Sequence, residues 1–153
     1  MSVLHAILVT FFVSMVPVLE LRGAIPMGVA GGLSPLMALA IAVVGNMVPI
    51  PFLIRFTRRV LNWLKDKGRI GKLVEKLENR AAEKSKIVEK YAAIGLCILV
   101  AVPLPGTGAW TGALVAAVMG MRLKNALPII LLGVVIAGLI MTVLTYGVTQ
   151  LFG

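Results

Sequence analysis

Two proline- and glycine-rich breaks inside otherwise apolar stretches restrict this chain more than any other feature. The first reads Val16-Pro17-Val18-Leu19-Glu20-Leu21-Arg22-Gly23-Ala24-Ile25-Pro26, and the second reads Val102-Pro103-Leu104-Pro105-Gly106-Thr107-Gly108-Ala109-Trp110-Thr111-Gly112. Roughly a dozen apolar residues precede each break, and as helix they reach only ~18 Å, too short to cross a ~30 Å hydrocarbon core. A second short leg rich in Gly and Ala follows each break. Two short legs joined at mid-depth predict a re-entrant hairpin, which enters and leaves on one side; the rival is a pair of kinked full-length helices.

The membrane setting follows from composition. Hydrophobic residues make up 59% of the chain and charged residues 14%, and mean hydropathy is +1.02, which is too apolar for a soluble domain. Apolar blocks run over about 3–33, 34–54, 91–121 and 125–151. The second and fourth have the length of ordinary spanning helices, with Asn46, Pro49 and Pro51 predicting a kink or a polar opening in the second. No Lys or Arg precedes the first apolar stretch, so the basic start of a secretory signal is missing and residues 1 onward are expected in the mature protein.

The net charge of +9 is concentrated between Arg55 and Lys90, where 12 basic and 5 acidic residues lie. Placed between membrane segments and with little aromatic interleaving, this run reads as a cytoplasmic connector under the positive-inside rule, not as a nucleic-acid patch. Leu73, Val74, Leu77, Ala81, Ile87 and Val88 recur at helical intervals within it, and Gly68 and Gly71 mark a break before the helix. Lys84, Lys86 and Lys90 precede the third block, and Arg122 and Lys124 follow it. If both flanks are cytoplasmic, that block turns back; the first hairpin then enters from outside and the halves have opposite orientation. Val16-Pro17 matches Val102-Pro103, and Gly23-Ala24-Ile25-Pro26 matches Gly108-Ala109-Trp110-Thr111, in a register that differs by one residue between the two segments.

The expected fold is therefore an all-α integral membrane protein of one domain, 1–153. Two inverted repeats, 1–54 and 91–153, each contain a re-entrant hairpin followed by a transmembrane helix, and a basic helical connector, 55–90, joins them. Such repeats build transporters whose site lies where broken segments meet near the midplane.

Glu20, the single acid outside the connector, stands in the first break, and an intramembrane ionisable group is a functional-site candidate. Arg22 is close enough to pair with it or to share an aqueous cavity. Gly23 and Pro26 complete this tip. In the second break Pro103, Pro105, Gly106 and Gly108 shape a loop, Thr107 and Thr111 add hydroxyls, and Trp110 adds an apolar or cation-facing surface. Half-helices starting near Ala24 and Ala109 would aim positive dipole ends at the midplane, suited to phosphate or carboxylate. The bland reading of all these residues is a self-neutralised pair and tight packing of small side chains. Asn46 is a further cavity-lining candidate, His5 reads as interfacial, and Cys97 reads as inert packing. One histidine and one cysteine cannot close a zinc site, and no nucleophile–base pair or phosphate loop is present, so neither metal, cofactor nor enzymatic activity is expected.

The Glu-Leu-Arg-Gly-Ala-Ile-Pro core within Pro17–Pro26 and the segment Pro103–Gly112 resemble the small multi-drug export protein family of prokaryotes over nearly the whole chain. The resemblance implies membrane transport. More remotely, Glu20 and Pro103–Gly106 resemble the DedA and SNARE-associated membrane proteins, which pair re-entrant hairpins and are linked to translocation of lipids including undecaprenyl phosphate. This chain departs from them in having no intramembrane arginine in its second half. The expected function is a proton-coupled inner-membrane transporter that moves a small amphipathic molecule or a lipid by alternating access at the hairpin tips. Membrane lipids, protons and a second copy of the chain are the expected partners, and nucleic acid is not. The alternatives are a DedA-like lipid-phosphate translocase and a non-transporting membrane scaffold.

Overall fold

A computed structural model describes residues 2–82, 86–104 and 106–153, with side-chain surroundings defined outside 74, 77, 78 and 80–89. Among the described residues the chain is helical, without strands. Helix α1 (Val3–Met15) is capped by Ser2, whose hydroxyl accepts from the His5 amide at 3.3 Å. It stops where Pro17 forces Val16 into extended backbone. After a turn, α2 (Glu20–Ala30) packs back against α1. These helices have 13 and 11 residues, so neither leg spans a bilayer alone.

Helix α3 (Pro35–Met47) starts at Ser34 and Pro35, an N-cap followed by a first-turn proline, and α4 (Pro49–Lys65) continues it past a bend at Val48. A turn at Asp66 and Lys67 leads to α5 (Gly68–Ala82). The second half contains α6 (Lys86–Ala101), α7 (Ala109–Val118) and α8 (Leu123–Phe152). Two stretches, Pro35–Lys65 with 31 residues and Leu123–Phe152 with 30, are long and apolar enough to cross a membrane. The chain leaves large apolar side chains of both uncovered, as at Leu36 and Val143, which are 74% and 71% exposed. A hydrocarbon solvent satisfies such surfaces, and water does not.

The core is built from small residues. Ala109, Gly112, Ala113, Ala116 and Ala117 are buried on α7, which lets α4 approach and seat Ile50 and Ile54. Helix α8 packs against α6 and also meets α3 and α2. Gly138 faces Leu39, Val43 and Ile25, where even a methyl group would collide.

The backbone repeats itself. Short helix, break, short helix, turn and long helix occur in that order in each half. Helices α2 and α7 end in the same Schellman motif: Leu33 donates to the Gly28 carbonyl and Gly32 to that of Val29, while Met121 donates to Ala116 and Gly120 to Ala117. Gly45 on α3 abuts the Phe11 carbonyl and Ser14 of α1, and Gly133 on α8 abuts the Cys97 carbonyl and Val100 of α6. Counted along the chain from these contacts, Val16 corresponds to Val102 in the first legs. Counted from the Schellman turns, Glu20 corresponds to Gly108 in the second legs, whereas the sequence register pairs Gly23 with Gly108.

Several boundaries differ from the sequence reading. Helix α2 begins at Glu20 and not near Ala24, with Pro26 inside it at the expense of one backbone bond to the Arg22 carbonyl. The helix of the second apolar block continues past Arg55 to Lys65, because charged residues on one face do not interrupt a helix that packs by the other. Gly68 does lie at the break. Gly71 is instead inside α5, where a side chain would strike the Lys65 carbonyl. The apolar pattern at Val74, Leu77, Ala81, Ile87 and Val88 concerns side chains outside the described residues, as does Pro105.

Candidate functional site

The two breaks meet. Glu20 is the first residue of α2 and the one non-glycine residue with positive φ among the described residues, at +47°. This left-handed backbone, which costs an L-residue about 1–2 kcal/mol, turns the chain into α2. The carboxylate reaches across to the start of α7. Its Oε1 accepts from the Trp110 amide at 3.1 Å and its Oε2 from the Ala109 amide at 3.4 Å. A helix N-terminus leaves such amides without intrahelical partners and carries a partial positive charge, so a carboxylate there is bound electrostatically as well as by hydrogen bonds. Glu20 is 4% exposed.

Gly108 makes this approach possible. Its φ is +144°, and a side chain would occupy the space that the Glu20 carboxylate fills. Gly106, at φ +80°, faces open space, so its role is conformational. Glu20 and Gly108, which correspond when counted from the two Schellman turns, are thus the two that touch.

Arg22 engages the same loop by its carbonyls. Its guanidinium donates to the carbonyls of Leu104, Thr107 and Val102, the last at 3.4 Å, and to the Thr107 hydroxyl at 2.9 Å. That hydroxyl lies 2.8 Å from the Val102 carbonyl and 2.9 Å from that of Leu104, so Thr107 organises the cage that holds Arg22. The Trp110 indole N–H donates to the Met15 carbonyl at 3.2 Å, at the end of α1. No hydrogen bond joins Glu20 to Arg22, and each binds backbone groups of the second break. Amides receive the carboxylate and carbonyls receive the cation.

Of the residues singled out from sequence, Glu20, Arg22, Thr107, Gly108 and Trp110 form this junction. Pro103 is half-buried in its loop, and Pro105 lies outside the described residues. Thr111 donates to the Gly106 carbonyl at 2.9 Å and supports the loop locally. Gly23 packs beside Leu19, and Pro26 lies farther along α2. Asn46 is fully buried on α3, and neither its amide nitrogen nor its oxygen has a hydrogen-bond partner. His5 is exposed near the start of α1, and Cys97 is half-buried in α6. Sequence reasoning missed the carbonyls of Met15, Val102 and Leu104. Backbone acceptors carry no residue signature, although paired prolines, which disrupt helical bonding around themselves, hint at free carbonyls nearby.

A family model described as putative small multi-drug export protein matches residues 20–140. The match begins at the buried glutamate, inside the first break, and covers the whole of the second. No curated protein and no solved structure matches the chain.

Proposed function

We propose that this chain, which belongs to the putative small multi-drug export protein family, is a proton-coupled membrane transporter whose substrate passes between the two helix breaks. One observation carries the reading: Glu20 and Arg22, the two charges of the first break, hydrogen-bond to the second break, Glu20 to backbone amides and Arg22 to backbone carbonyls and the Thr107 hydroxyl, and not to each other. Such a junction is closed while Glu20 is ionised. A proton on the carboxylate removes its attraction for the α7 amides, the tips part, and a substrate competes for the groups that are released.

Those groups suit two substrate classes. An ionised Glu20 and the Trp110 face suit a lipophilic cation. The freed amides of Ala109 and Trp110, with Arg22, suit a phosphate or carboxylate on an amphipathic molecule, including a lipid phosphate. The second class is favoured by a specific observation, because those amides already hold an anionic oxygen pair. The α7 N-terminus has in Glu20 a tethered copy of the ligand it would select.

In this reading each hairpin is re-entrant and the halves are inverted, with the junction near mid-depth and the connector in the cytoplasm of a prokaryotic inner membrane. The short legs, the meeting of the two breaks and the repeated Schellman ends support it. We also place a second copy beside the first, because the short elements of one chain enclose little volume. Alternating access is a rocking of one half on the other about the small-residue contacts of α3 and α8.

The test is substrate-driven proton flux in proteoliposomes, with wild type and Glu20→Gln compared on a lipophilic cation and a short-chain polyprenyl phosphate. Flux with either compound that disappears in the variant supports the coupled carrier and names the class. Absence of flux in folded, inserted protein, together with a cellular phenotype that survives Glu20→Gln but not charge reversal of α5, would replace it with a scaffold.

A further inference from the structure

Helix α4 has two apolar sides with different neighbours. Ile50 and Ile54 are fully buried, on the helix that packs on α7. Phe52, Phe56 and Trp63 follow one another at helical spacing on another side and are 68%, 65% and 57% exposed. Among the described residues more than half of each of the three stays uncovered. Arg55 and Arg59, both exposed, run along one edge of this ridge, and the Lys67 ammonium sits 3.6 Å from the centre of the Trp63 ring.

Position along the helix says what covers the ridge. The 31-residue stretch Pro35–Lys65 is ~46 Å long at ~1.5 Å per residue, against a hydrocarbon core of ~30 Å. Its last three turns therefore lie beyond the hydrocarbon, and the bend at Val48 frees α4 from the direction of α3 so that it can tilt toward the interface. Between Arg55 and Lys72 seven basic residues stand against one acid, Asp66. Aromatic rings edged by cations, continuous with a spanning helix, match the acyl boundary and phosphates of an anionic leaflet.

We propose that the Phe52–Phe56–Trp63 ridge of α4, with Arg55, Arg59 and Lys67, is a docking surface for anionic phospholipid headgroups. With α4 tilted along the interface, the rings face the boundary where acyl chains begin and the three cations contact lipid phosphates. The surface is separate from the Glu20–α7 junction and does not depend on what is transported.

The experiment uses full-length protein in nanodiscs in which either phosphatidylglycerol or phosphatidylcholine carries brominated acyl chains. Trp63 emission is taken as the difference between wild type and Trp63→Phe, which removes the contribution of Trp110. Half-maximal quenching is expected at a mole fraction about fivefold lower for brominated phosphatidylglycerol, and the difference should vanish in Arg55→Gln/Arg59→Gln/Lys67→Gln. Equal quenching by the two lipids would reduce the ridge to an unselective interfacial one and overturn the proposal. So would an anionic preference that survives the triple variant, or Trp63 emission unaffected by either lipid.

Discussion

Glu20 combines three costly features: a buried carboxylate, a left-handed backbone and a place inside an apolar segment. Charge-assisted bonds to the Ala109 and Trp110 amides, each worth about 1.5–3 kcal/mol, offset them. Gly108→Ala should lower thermal stability in detergent by more than about 2 kcal/mol, since it both strains φ and expels the carboxylate. Gly106→Ala, facing open space, should cost only about 1–2 kcal/mol. Equal losses at the two glycines would mean that the Glu20 cap contributes nothing. Asn46 predicts the opposite sign. With both amide atoms buried and unpartnered, Asn46→Leu should stabilise the fold by about 1–3 kcal/mol in a melting experiment. If Asn46 lines the substrate path, that same variant should transport more slowly, so a gain in stability with a loss of flux is the signature to look for.

At the scale of the helices, glycine marks where two backbones come closest. Gly133 touches the Cys97 carbonyl and Val100, and nothing lies near Gly147 on the same helix. Gly133→Ala should therefore push α8 off α6 and destabilise by about 1–3 kcal/mol. Gly147→Ala should gain about 0.5–1 kcal/mol, because alanine holds a helix better and meets no neighbour. Chemical or thermal denaturation of the two variants side by side checks both signs. Gly45, the counterpart of Gly133 against α1, should behave as Gly133 does, since Ser14 and the Phe11 carbonyl leave no room there.

For the whole molecule, the decisive quantity is the side of the membrane on which the two turns lie. Ser34 and Arg122 both stand immediately before long helices, just after Schellman turns. In a Cys97→Ser background, Ser34→Cys should react with a membrane-impermeant maleimide added outside, and Arg122→Cys only when the reagent reaches the cytoplasmic side. Labelling of both from one side would end the inverted-repeat reading, whatever the transport assays give.

Much of this was already determined by the sequence. Continuous apolar stretches, the prolines that stop α1 and bend α3 into α4, and the family carried by the two breaks need only local rules and composition, because a helix's start, end and solvent are dictated by residues within a turn or two. That Glu20, Arg22, Thr107, Gly108 and Trp110 belong to the two breaks and differ from their surroundings was legible too, since charge, hydroxyl and glycine stand out in an apolar background. Their partners were not. A Glu20–Arg22 pair and a helix end left open for a ligand are what proximity along the chain suggests. Only the tertiary structure brings Ala109 beside Glu20 and the carbonyls of Val102 and Leu104 beside Arg22, because those contacts join segments more than 75 residues apart through backbone groups that every residue possesses.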